Sequence, residues 1–406
     1  MATDLADFTR EVQQFLETHA RRRESADQFR WGQGSDRVGY FNNLPAEEEA
    51  AAVDAARAWQ RTRFENGFGW ITGPAEFGGR DLGQVHSLVY DALEAEYEVP
   101  DTGVLSVIGL GMIGPTILTH GSPQQREKYL RRMYSGEIIA CQLFSEPAAG
   151  SDLAGVTSRA VRDGDDWVIN GQKVWTSIAQ HAQVGELLCR TDTDAPKHRG
   201  ITAFLLDLDT PGVEIRPLRQ MTGGAEFNEV FLTDVRIPDT QRLGAVGDGW
   251  KVALTTLMNE RATVGGESGG AASEAITAER LTALLRAVAR EDDAALRRDL
   301  SSLLASVRAA KSLNERAARR LRTGSAPGPE GSISKLALAQ NLIRGSRFAA
   351  DVLGPRIIAD TGAWGTYAWA DLLLGAPALR ILGGTEEIMK NILAERVLGL
   401  PKEGAR

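Results

Sequence analysis

The chain has 406 residues, 43% of them hydrophobic and 25% charged, the composition of a globular protein with room for two or three domains. Its net charge of −8 argues against a general nucleic-acid or anionic-membrane binder. The two cysteines (Cys141 and Cys189) form no CxxC pair, and the five histidines are scattered, so a reducing, cytoplasmic setting and no metal site are expected.

Residues 1–138 read as helical. Phe8, Val12, Phe15 and Leu16 recur at helical spacing, and the N-terminus lacks the apolar stretch of a signal peptide. No run of 18 apolar residues occurs, so no membrane span is expected. The stretch LSVIGLGMIGPTILTHG (105–121) sets Gly109, Gly111 and Gly114 at the GxGxxG spacing of a dinucleotide-binding fingerprint. That fingerprint needs a strand-to-helix turn inside a βαβ unit. Here Pro115 follows the third glycine and no βαβ unit surrounds it, so a packing or turn role is expected for the glycines. A further helix starts at a Ser122 cap and stops near Gly136.

Residues 139–248 change period. In DWVINGQKVWTS, Asn170-Gly171 lies between two strand-like runs and predicts a hairpin turn. GITAFLLDLD, GVEIRPL and EVFLTDVRIP follow at short spacing, which predicts a small β-barrel or sandwich. From residue 249 to 406 long amphipathic helices return, as in a helical bundle, interrupted by VGGESGGAAS (264–273) and SAPGPEGS (325–332). The expected class is α+β: an α-helical domain over 1–138, a β domain over 139–248 and a helical bundle over 249–406.

Four segments carry a resemblance: CQLFSEPAAGSDLAG (141–155), KVWTS (173–177), NERATVGG (259–266) and RILGGTEEIMKNILAERVLGLP (380–401). In this order they resemble the acyl-CoA dehydrogenase family, whose α, β, α domain order also matches. The resemblance covers nearly the whole chain. It implies FAD as cofactor, an acyl-CoA thioester as substrate and α,β-dehydrogenation as reaction. Ser145 would bond the pyrimidine edge of the flavin, and Ser151 the pyrophosphate or the substrate. Gln142 and Phe144 would pack around the ring, Trp175 would cover it with Thr176 beside it, and Ser177 would bond the hydride-accepting nitrogen. The residue types suit this, since a proline-stiffened turn offers hydroxyls and backbone N–H groups, and an aromatic offers a flat face. Taken singly, the same residues also suit plain turn and core positions.

The α-carbon of a thioester is a weak acid, so the reaction needs a carboxylate base and donors that hold the thioester oxygen. Many family members place the base before a Gly-Thr pair near the C-terminus, where this chain has Gly383. A subgroup that includes long-chain and isovaleryl types uses instead a Glu at the start of the C-terminal domain, and Glu260 falls on that position. Glu260 is the expected base, with Arg261 orienting groups in the pocket; the alternative is an ordinary charged pair on a helix surface. Backbone N–H groups at Gly383 and Gly384 would hold the thioester oxygen, and Thr385 and Glu387 would touch the flavin. The Arg-x-x-Phe-Gly element that reaches the adenine half of FAD in a neighbouring subunit is absent, and its companion Gln-x-x-Gly-Gly has Asp351 in place of Gln. An electron-transfer flavoprotein is the expected acceptor and a homodimer or homotetramer the expected assembly. The alternatives are a flavin oxidase or monooxygenase on the same fold, or a non-catalytic partner subunit. Gly265, Gly266, Gly269 and Gly270 would leave room for a bulky acyl group.

Overall fold

The computed structural model describes residues 4–23, 29–41, 43–264, 275–322 and 331–402. They fall into two units, one within Met1–Ser25, Leu44–Gln220 and Ala225–Glu260, the other within Ala26–Asn43, Met221–Gly224 and Arg261–Arg406.

The first unit opens with α1 (Leu5–His19), which buries the expected stripe of Phe8, Val12, Phe15 and Leu16. These side chains pack with Trp59 of α2 (Ala46–Glu65), Tyr90 of α3 (Gln84–Glu94) and Phe68. Two short strands, β1 (Arg21–Arg22) and β2 (Tyr97–Glu98), pair nearby. Next comes α4 (Gly103–His120), wound as a π-helix over Ser106–Ile113. Then α5 (Pro123–Tyr134) starts with a capping box: Ser122 Oγ accepts from Gln125 N, and Gln125 Oε1 accepts from Ser122 N.

The chain is helical from Gly103 onward, so the glycines of 105–121 stand at no strand-to-helix turn. A Cβ on Gly114 would lie 2.7 Å from Tyr134 Oη, and one on Gly109 would touch the Ala140 backbone at 3.7 Å. These two are packing positions. By length and composition α4 could cross a membrane, its mean hydropathy being 1.5. It is not an unbroken apolar run, because Ser106, Thr116 and the glycines interrupt it. A core helix meets the same criterion, and Met112, Ile113 and Ile117 are buried in this unit.

Eight strands form one sheet among the described residues: β3 (Ala140–Leu143), β4 (Arg159–Asp163), β5 (Asp166–Ser177), β6 (Val184–Arg190), β7 (Ile201–Asp207), β8 (Val213–Leu218), β9 (Phe227–Pro238) and β10 (Arg242–Leu243). Their order is β10-β7-β6-β4-β5-β9-β8, with β3 pairing parallel to β6. Strands β6 and β7 are buried on both faces. Leu188 and Leu205 face a core shared with α4 and α5, while Leu187 and Phe204 face Trp167, Ile169 and Val230. The expected turn at Asn170-Gly171 does not exist. The hairpin turns at Gly164-Asp165, and β5 runs straight through 170–171. Gly171 serves close packing, since a Cβ there would meet Ser158 Oγ at 2.1 Å, and Asn170 exchanges hydrogen bonds with Asp234 of β9.

Helix α6 (Gly249–Val264) begins in the first unit, where Val252 and Ala253 join the core. The second unit holds α7 (Ala278–Ala287), α8 (Ala294–Arg322), α9 (Gly331–Leu353), α10 (Ala368–Gly375) and α11 (Glu386–Ile392). Leu281, Leu303, Leu342, Trp369 and Leu372 centre its core. The glycine-rich stretches 265–274 and 323–330 lie outside the described residues.

Candidate active site

The residues after β3 turn sharply, with Glu146 N donating to Ala149 O and Ala149 N to Glu146 O. This turn is tied to β5 by Val174 N donating to Ser145 O at 2.9 Å. Beneath it lies a buried ion pair: Lys173 Nζ donates to Glu146 Oε1 at 2.7 Å and to Phe144 O at 3.2 Å. Thr157 N and Oγ1 donate to the other carboxylate oxygen, and Ser158 N to the first. Burial alone would raise the Glu146 carboxyl, but Lys173 and these donors outweigh it and hold the group at about 2. Phe144 is buried, Gln142, Ser145 and Ser177 are half-buried, and Ser151 is exposed at the far end of the turn.

Between Lys173 and Thr176 the pairing of β5 with β9 shifts register. There Trp175 adopts φ +59° and leaves its ring 59% exposed, edge-on to Phe227. A bulky residue in the left-handed region is strained, and such strain concentrates where a side chain must be aimed. Next to it Thr176 is buried and its hydroxyl has no hydrogen-bond partner among the described residues, nor has the buried Nε2 of Gln142 on β3. An unsatisfied hydroxyl next to an open aromatic face, with a second unsatisfied donor on β3, fits a flat, polar-edged ring such as that of FAD.

On α6, Val252, Ala253, Thr256 and Leu257 face the core, and Glu260, half-buried, continues that stripe one turn on. The side chain of Arg261 and residues 265, 266, 269 and 270 lie outside what is described. Beneath the stripe, Thr256 Oγ1 lies 2.8 Å from the carboxyl of Glu186 and 2.9 Å from Thr116 Oγ1. Glu186 is fully buried, and burial pushes its carboxyl up to about 8 despite the bond with Thr256.

In the second unit, Gly383 and Gly384 have φ +65° and +90°, where a side chain would be strained. Thr385 caps α11, its Oγ1 accepting from Ile388 N, and the exposed Glu387 follows; hydrogen bonds from backbone N–H and from Thr385 hold the Glu387 carboxyl below its ordinary value. The nearly buried Lys335 of α9 donates to Leu379 O at 2.9 Å and Gly384 O at 2.6 Å, fixing the loop.

Family models for the N-terminal, middle and C-terminal domains of acyl-CoA dehydrogenases match residues 41–137, 141–235 and 247–398. The chain belongs to the acyl-CoA dehydrogenase family. Acyl-CoA dehydrogenase IpdE1 of Mycobacterium tuberculosis is 39% identical over 360 residues, covering 87% of this chain and 90% of that protein. FadE34 of the same organism is 41% identical over 339 residues, 81% of this chain but 44% of FadE34. Among solved structures, the Tcur3481–Tcur3483 steroid acyl-CoA dehydrogenase (ACAD) matches with a TM-score of 0.72 at 25% identity, covering 99% of each chain. The ChsE4–ChsE5 complex from Mycobacterium tuberculosis matches with a TM-score of 0.71 at 25% identity, also covering 99% of each.

The protein is thus an FAD-dependent acyl-CoA dehydrogenase, an oxidoreductase on CH–CH bonds. No role for Lys173, Glu186 or Lys335 is legible in the sequence, although Lys173 opens the KVWTS segment. The available signal is a charged residue within an apolar strand or helix, which is costly unless partnered. Their partners lie too far along the chain for spacing to reveal.

Proposed function

We propose that Glu260 is the base that removes the α-proton of the acyl thioester. The observation that carries this is the inward stripe of α6, which ends on a half-buried carboxylate where the family's subgroup has its base. Gln142, Phe144, Ser145, Trp175, Thr176 and Ser177 would hold the flavin ring, and Ser151 its pyrophosphate or the substrate. When bound, FAD supplies the acceptor for the β-hydride. Arg261 would orient groups in the pocket. The N–H groups of Gly383 and Gly384 would hold the thioester oxygen and so favour loss of the α-proton, with Thr385 and Glu387 at the cofactor. The domain limits follow the change of periodicity at 138/139 and 248/249.

The substrate we infer is an acyl-CoA with a ring in its acyl part. Relatives at 36% and 32% identity over about half the chain are named (R)-benzylsuccinyl-CoA dehydrogenase and cyclohexane-1-carbonyl-CoA dehydrogenase, and one structural match is called a steroid ACAD. The electron acceptor is an electron-transfer flavoprotein, the setting cytoplasmic and the assembly a homo-oligomer. A mixed oligomer is the second reading, favoured by the two-chain names of the structural matches and the missing adenine elements.

The test is anaerobic bleaching of the flavin by straight, branched and ring-bearing acyl-CoAs. Wild type should bleach fastest with a ring-bearing one, and Glu260→Gln should slow bleaching about 10²–10⁴-fold with FAD still bound. Wild-type bleaching rates in Glu260→Gln would remove the assignment. Mass measurement of the chain purified alone, and turnover with electron-transfer flavoprotein against peroxide release in air, decide assembly and acceptor.

A further inference from the structure

We propose that Glu186, as a neutral carboxylic acid, is the positioning residue for the base: through Thr256 it fixes α6, which carries Glu260, against β6, whose parallel neighbour β3 leads into the flavin turn. The proposal rests on the reading of Glu260 as base.

Glu186 sits mid-strand in β6, with Gln142 of β3 on one side in register and Leu205 of β7 on the other. Its carboxyl oxygens lie 2.8 and 3.0 Å from Thr256 Oγ1. Thr256 meets Thr116 of α4 at 2.9 Å, and Thr116 Oγ1 donates to Met112 O at 2.9 Å inside the π-helical stretch. Each threonine hydroxyl has one proton, so with Glu186 protonated a single chain runs through: the acid donates to Thr256 Oγ1, Thr256 to Thr116 Oγ1 and Thr116 to Met112 O, joining β6, α6 and α4. Thr256 and Glu260 lie four residues apart, on one face and about 6 Å along the axis.

The surroundings keep the acid neutral. Its neighbours on that face are the apolar Val184, Leu188 and Leu205 and the uncharged amide of Gln142, and among the described residues no charged side chain contributes to its environment. The ionisable groups of the packed elements are engaged or turned away. On β3 the Cys141 thiol lies on the opposite face of the sheet. On β7 Asp207 bonds Lys128, Tyr129 and Gln241. On α4 His120 bonds Thr255, and on α6 Lys251 is exposed while Glu260 lies one turn on. Within β6 Arg190 bonds the carbonyls of Ala154, Val156 and Lys197. A carboxylate here would have, among the described residues, only the Thr256 hydroxyl as donor to offset its burial, whereas the neutral acid fits the clasp. The reaction must present the α-hydrogen to the base and the β-hydrogen to the flavin at once, and about 1 Å of misplacement costs on the order of 10²-fold. The clasp sets that separation from the protein side.

The experiment follows bleaching of the FAD-loaded enzyme by acyl-CoA across pH, together with the infrared carbonyl band of a protonated carboxyl group. Wild type should lose rate on the alkaline side as its carboxyl band disappears; Glu186→Gln should lack both the band and the alkaline decline. Thr256→Val should bleach at least about tenfold more slowly with unchanged FAD content and substrate affinity, and Thr256→Ser should restore the rate. An alkaline decline that survives in Glu186→Gln, or wild-type bleaching by Thr256→Val, overturns the proposal. If Glu186→Gln does not fold, the two Thr256 variants and the wild-type band decide. Bleaching by Glu260→Gln would overturn the base reading alone, and the band and the alkaline decline would still decide the clasp.

Discussion

Lys173 and Glu146 meet at 2.7 Å with both side chains out of water, and the pair lies directly beneath the turn that carries Ser145. Twenty-seven residues separate them, one in each of the two segments that resemble flavin-binding sequence. Removing one partner leaves the other charge buried and unpaired. Lys173→Met should therefore cost about 3–5 kcal/mol of stability by denaturant unfolding. Glu146, held at about 2 against an ordinary value near 4.5, contributes stability that is present above pH 4.5. That contribution should drain as pH falls from 4.5 towards 2, and a pH series of unfolding midpoints reads it.

Trp175 is strained and exposed at once, so its side chain contributes little to the fold that holds it. Trp175→Gly releases about 1–3 kcal/mol of backbone strain and costs about 0.5–1 kcal/mol in chain entropy. The apoprotein should melt at or above the wild-type temperature, while FAD binding, followed by fluorescence titration, weakens about tenfold through loss of the stacked face. A destabilised apoprotein with full FAD affinity would show that the ring serves packing.

Gly114 touches a side chain that cannot yield. Tyr134 is stacked on Trp70 at 3.7 Å and its hydroxyl donates to Leu110 O at 2.8 Å. Gly114→Ala sets a methyl 2.7 Å from that hydroxyl, which should destabilise the protein by about 1–3 kcal/mol. Tyr134→Phe removes the nearest atom, so the double variant should be more stable than the two single effects added together. Chemical unfolding of all four proteins measures the coupling.

Features settled within a few residues are legible in the sequence, and those settled by distant partners are not. The stripe of α1 and the cap at Ser122 were legible because helix periodicity and capping are settled within a few residues. Asn170-Gly171 misled for the opposite reason: what matters there is Ser158 pressing on Gly171 and Asp234 bonding Asn170, one of them 64 residues away. The flavin segments were legible as motifs because a turn and a strand end are local. Glu186 and Thr256 are 70 residues apart, and neither stands in a recognisable pattern until the fold brings them together. The membrane-length character of α4 was hidden because small and polar residues interrupt its apolar run without lowering its mean hydropathy.

Glu186 bears on stability as well as on rate. Its carboxyl is pushed up to about 8 in the folded protein, against an ordinary 4.5 in the unfolded chain. Between those values the unfolded chain has released the proton and the folded protein keeps it, so each step up in pH favours unfolding. Stability should be fully present below pH 4.5 and fall by up to about 1.4 kcal/mol per pH unit as pH rises towards 8. This runs opposite to Glu146, whose contribution is lost on the acid side, so the two acids can be read apart in one pH series. Glu186→Gln carries no titrating proton and should flatten the slope between pH 5 and 8 in denaturant unfolding. An unchanged slope would mean that the buried acid is already ionised in the folded protein, and that Thr256 holds a carboxylate.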